Sequence, residues 1–122
     1  MTKEVKYDLE ERLIDFAVLI SDIIERLSET RLGNYLAGQL VRSGCSPALN
    51  YGEAQSAESR NDFIHKMKVI LKELRESLIS LKIIERKQLY DLKKVLETKN
   101  ECNQLVAIFV KSIETAKKNN IK

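Results

Sequence analysis

Apolar residues return at steps of three and four along nearly the whole chain, and that rhythm constrains the fold more than any other feature. Leu9, Leu13, Phe16, Ala17, Ile20, Ile24 and Leu27 mark one face of a first helix, predicted over 8–27. Ile14, Val18 and Leu19, with Ile23 between the two sets, widen this face beyond a surface stripe. A face so wide touches more than one neighbour, here bundle mates plus another subunit. Asp8 is the predicted N-cap, because Glu11 stands three residues on, as in a capping box.

Thr30 is placed to cap a second helix over 31–58, carried by Leu32, Leu36, Leu40, Ser43 or Gly44, Pro47, Tyr51 and Ala54. Pro47 is the only proline; it removes one amide donor and crowds the carbonyl of Ser43, so a kink is expected near 44–47. The small residues Ala37, Gly38, Ser43, Gly44 and Ala48 would let another helix come close. Ser59 with Asp62 reads as the cap of a third helix over 60–85. Its predicted buried stripe is Phe63, Met67, Ile70, Leu74, Leu78 and Leu81. The turn ERKQLYD holds neither Gly nor Pro, and a fourth helix resumes near Leu89 and runs to about 117. Four long amphipathic helices with short connections give an all-α, antiparallel up-and-down four-helix bundle of one domain.

At 122 residues the chain can bury a single core. Cys45 and Cys102 read as thiols rather than a disulfide, as in a reducing compartment. MTKEVKYDLEER has no apolar run of signal-peptide length, and no stretch approaches the ~20 apolar residues of a membrane span. A soluble, cytoplasmic protein without membrane contact is expected. Charge is uneven: residues 1–58 carry 6 Lys/Arg against 10 Asp/Glu, net −4, and residues 59–122 carry 15 against 8, net +7. This asymmetry points to an anionic partner, or to halves that complement each other within or between subunits.

The surface of the third helix is the most distinctive. His65, Lys68, Lys72, Arg75, Ile79, Lys82 and Arg86 step by three or four residues and share an arc of about 100°. Lys68, Lys72, Arg75, Lys82 and Arg86 are the candidate nucleic-acid-binding residues, each able to neutralise a phosphate. The alternative is an ordinary solvated helix face, with Glu76 and Glu85 near enough in sequence to pair with these cations. A protein-binding scaffold that never touches nucleic acid is the competing function. Arg42, Asn50, Tyr51, Glu53, Ser59 and Asp62 form a second group, read as a structural or oligomer motif. Its polar members would make a hydrogen-bonded network or caps that fix helix register and a subunit joint, with Arg–carboxylate pairing inside the stretch. A recognition pocket is the other reading.

Little supports catalysis. His65 is the only histidine, and both cysteines are far from it in sequence, which argues against a zinc site. Asp62-x-x-His65 resembles half of a carboxylate-bundle metal motif, without a second copy. Cys45 has no evident base. No enzyme activity, metal or cofactor is expected.

The stretch LAGQLVRSGCSPALNYGEAQSAESRNDFIHKMKVILKELRESL resembles the signature of the bacterial four helix bundle proteins, also called 23S rRNA-intervening-sequence proteins. YDLEERLIDFAVLI and TRLGNYLAGQL fit the same pattern, so the resemblance covers roughly residues 7 to 85. Arg42-Ser43, Asn50, Glu53-Ala54, Ser59 and Asp62-Phe63 fall in the order and spacing of that signature. The resemblance implies a left-turning up-and-down bundle that assembles into a homopentameric ring and has no enzymatic activity. It also implies similarity to accessory proteins of diversity-generating retroelements, basic bundles that engage nucleic acid and a reverse transcriptase.

Overall fold

A capped, amphipathic segment becomes a stable helix only when its apolar face finds partners, and four such segments supply partners for one another here. The computed structural model describes residues 9–27 and 29–121. They form α1 (Leu9–Ile24), α2 (Arg31–Ala54), α3 (Arg60–Lys87) and α4 (Leu92–Ile121). Consecutive helices pack side by side, and α1 closes the square against α4. The diagonal pairs, α1 with α3 and α2 with α4, bring no backbone together among the described residues. This is an all-α up-and-down four-helix bundle. The predicted cap Asp8 lies outside the described residues.

The core is one cluster fed by every helix, with Phe16, Leu40, Leu74 and Phe109 fully enclosed. Each such side chain contributes about 1.5–3 kcal/mol by leaving water. Tyr51 of α2 meets Phe109 of α4 edge to face, with centroids 6.1 Å apart and planes at 82°. Aromatic side chains therefore bridge a diagonal that the backbones do not. On α3, Phe63 and Leu78 of the predicted stripe are only half-buried, whereas Ile64, Ser77 and Ile84 are buried. The stripe is rotated and broadened because α3 packs on both α2 and α4.

Several boundaries depart from the sequence reading: α1 ends at Ile24 rather than 27, α4 runs on to Ile121 rather than to about 117, and the end of α2 and the start of α4 also move. α2 ends at Ala54 rather than near Glu58, because the residues beyond it serve the next helix. The Ser59 hydroxyl accepts the Asp62 amide at 3.0 Å, and the Asp62 carboxylate accepts the Glu58 amide at 3.2 Å. α4 starts at Leu92 rather than near Leu89. Gln88 adopts a left-handed conformation (φ 54°, ψ 48°), its amide donates to Glu85, and the Leu89 amide donates to Ile84. This is the hydrogen-bond pattern that ends many helices at a glycine, realised here on glutamine. Thr30 caps α2 as predicted, accepting the Gly33 amide at 2.9 Å. α2 runs as one helix through Pro47, which is buried.

Candidate nucleic-acid interface

The helical period of α3 carries Lys68, Lys72, Arg75 and Arg86 into solvent and leaves Lys82 half-exposed. Exposed Ile79 and half-buried Leu71 lie among them along a shallow groove. At 1.5 Å per residue the stretch from Lys68 to Arg86 is about 27 Å long, enough to follow a phosphate backbone over several steps.

The two acids expected to blunt this field are largely drawn elsewhere. Glu76 accepts from Arg42 of α2 at 2.9 Å and lies 4.0 Å from Lys72. Glu85 pairs with Lys99 of α4 at 2.6 Å. Lys68, Arg75, Lys82 and Arg86 have no ion-pair partner among the described residues. Four cations thus remain free to meet an anion.

The structure adds Tyr35 of α2, which borders the same surface with Gln39, Ile79 and Ile83 and is 62% exposed. An exposed aromatic beside a row of cations supplies a stacking platform for a base. Its sequence signal is weak, since Tyr35 sits between Leu32 and Leu36 and joins neither charge pattern nor motif.

The six residues of the second predicted group do not converge. Arg42 pairs with neither Glu53 nor Asp62; it reaches Glu73 at 2.7 Å and Glu76 at 2.9 Å, both on α3. Those contacts, led by the Glu76 hydrogen bond, hold its guanidinium above its ordinary pKa. Helix geometry explains the correction: Glu53 lies eleven residues along the same helix, while α3 runs alongside. Ser59 and Asp62 are caps, with Asp62 also 3.6 Å from Lys66. Glu53 is exposed, Asn50 is half-buried, and Tyr51 is pushed to a higher pKa by burial against the core. One polar contact near this group is enclosed: Ser77 donates to Ser43 at 2.9 Å across the α2–α3 interface.

Cys45 and Cys102 are free thiols, half-buried and buried. Cys102 donates to the Leu74 carbonyl at 3.2 Å, and burial, assisted by nearby Glu101, pushes its pKa up to about 12. Among the described residues, no group of three or more His, Cys, Asp or Glu is placed to hold a metal ion. No described helix is long and apolar enough to cross a membrane.

A family model described as 23S rRNA-intervening sequence protein matches residues 6–111. The chain belongs to that family. The 23S rRNA-intervening sequence fold is also shared with a crystal structure from Bacteroides thetaiotaomicron, a protein of unknown function from the S23 ribosomal protein family. The two are 27% identical with a TM-score of 0.78, over 85% of this chain and 96% of that one. No curated protein matches.

Proposed function

We propose that this member of the 23S rRNA-intervening sequence family is a non-catalytic, homo-oligomeric protein of the cytoplasm that associates with RNA or DNA through α3. Lys68, Lys72, Arg75, Lys82 and Arg86 contact phosphates, and Tyr35 offers a stacking surface for an unpaired base. The observation that supports this reading is a basic face on which four of five cations lack ion-pair partners among the described residues. Helix α1 and the outward side of α2 are left to join copies, and the family resemblance implies a ring of five.

Binding of a labelled structured RNA over a salt series tests the proposal. Affinity that falls linearly on log–log axes, and weakens at least tenfold in a Lys68→Glu/Lys72→Glu/Arg75→Glu variant with unchanged circular dichroism, is the expected result. No binding at low salt would sink it for RNA of this kind. A protein-binding scaffold is the second reading, favoured by Val41 and Leu49, which stand 51% and 71% exposed on α2. Association insensitive to salt would support it.

A further inference from the structure

Among the described residues, one buried hydroxyl has no partner inside the protein. Glu73 is held by Arg42, Ser77 donates to Ser43, and Thr98 donates to the Lys94 carbonyl, so these buried polar side chains are satisfied. Ser80 on α3 is 8% exposed and has no hydrogen-bond partner among the described residues. Native folds rarely leave such a group unsatisfied, and this one borders a groove open to a ligand.

The groove lies between α2 and α3 and offers about 280 Å³, at the small end of the range for ligand sites. Leu36, Ile79 and Ile83 make its apolar bed, and Tyr35 lines it while largely exposed. Its other polar groups are the Gln39 amide and the Glu76 carboxylate. Glu76 is fixed in place: Oε1 accepts from Arg42 at 2.9 Å, while Oε2 lies 4.0 Å from Lys72 and accepts no hydrogen bond among the described residues. Gln39 accepts a long bond from Arg42 at 3.4 Å and keeps its amide N–H donors uncommitted. Ile79 belongs to this groove and to the basic row, with Lys72 and Arg75 on one side and Lys82 and Arg86 on the other. A flat ring in the groove thus meets a carboxylate acceptor together with hydroxyl and amide donors, directly beside the cations.

Guanine fits this set. Its Watson–Crick edge presents two adjacent N–H donors, on N1 and N2, beside the acceptor O6. A carboxylate accepts both donors at once, and a hydroxyl or amide N–H serves O6. Adenine and cytosine set a ring acceptor beside their one amino group, and uracil flanks its single N–H with two carbonyls, so each meets the carboxylate with repulsion. The edge is free only in an unpaired base.

We propose that the α2–α3 groove takes one unpaired guanine of a nucleic-acid strand, stacked on Tyr35, with Glu76 accepting from N1 and N2 and with Ser80 and Gln39 donating to O6. The row from Lys68 to Arg86 holds the flanking phosphates, so this proposal rests on the nucleic-acid reading above and adds a base preference to it.

Fluorescence anisotropy with labelled oligouridine strands of about eight nucleotides, carrying guanine, adenine, cytosine or uracil at the centre, tests it at one salt concentration. The guanine strand should bind about tenfold more tightly than the other three. Glu76→Gln should bring that ratio to about one, and Tyr35→Ala should weaken all four strands together, since every base stacks. Urea melts verify that each variant folds. Ser80→Ala should reduce the guanine ratio without lowering the urea midpoint, because no bond inside the protein is lost; a lowered midpoint would overturn the assignment of this hydroxyl to a ligand. Equal affinity for the four strands would overturn the base preference and leave the phosphate contacts standing, whereas no binding of any strand at about 50 mM salt would remove both. A guanine preference that survives Glu76→Gln would overturn the placement of the base. GMP lacks the flanking phosphates and should bind at least about tenfold more weakly than the guanine strand; equal affinity would overturn the strand as the ligand.

Discussion

A β-carbon on Gly44 would lie 2.8 Å from Cγ2 and 2.9 Å from Cγ1 of Ile20, a core residue with no freedom to withdraw. At Gly52, also helical, the same atom would meet nothing within 4 Å. Gly44→Ala should therefore destabilise by about 1–3 kcal/mol, while Gly52→Ala should be neutral or stabilising by up to about 1 kcal/mol. Urea melts of the two variants provide the comparison. Cys102 makes a pH prediction. Its folded pKa of about 12 exceeds the ordinary thiol value of 9.0, so its contribution is complete below pH 9 and lost as pH rises toward 12. Stability should decline across that window, less steeply in Cys102→Ala. Iodoacetamide at pH 8 should modify Cys45 first and reach Cys102 only on unfolding. At this scale the caps Thr30 and Ser59 were legible, because a cap depends on residues three apart in sequence. The opposite fates of two glycines in one helix were not, since only the neighbouring helix distinguishes them.

Between elements, the α2–α3, α3–α4 and α1–α4 interfaces each carry a polar fastening. At the α2–α3 interface, Ser77→Ala would leave the buried Ser43 hydroxyl without its partner and should cost about 1–3 kcal/mol. The Ser43→Ala/Ser77→Ala double variant should cost less than the sum of the singles, as a double-mutant cycle would show. The α1–α4 seam is clamped by Arg12, whose Nε and Nη2 donate to the two oxygens of Glu101 at 3.0 and 2.9 Å. The side chains are 35% and 24% exposed, so solvent screening limits the pair to about 0.5–1 kcal/mol. Arg12→Ala should accordingly speed amide hydrogen exchange in α1 before it lowers global stability much. Four helices could be read from the period alone. The ends of α2 and α4 could not, because Gln88 takes a conformation usually left to glycine and Asp62 claims the amide of Glu58.

Across the whole molecule, the basic face of α3 should set how the protein responds to salt in the presence of polyanions. If all five α3 cations meet phosphates, the log–log salt slope for nucleic acid should be about −3.5 to −4.5, and each removed contact should reduce it by about 0.7–0.9. Filter binding between 50 and 300 mM salt would measure it. The sequence by itself determined the helical class, the family signature and the basic stripe, because each is written in local periodicity or in neighbouring residues. Only the tertiary structure decided that Glu76 and Glu85 are drawn to other helices and that Arg42 answers to α3. Those outcomes depend on which helices lie side by side, a choice made by the whole core at once and carried by no single stretch of the chain.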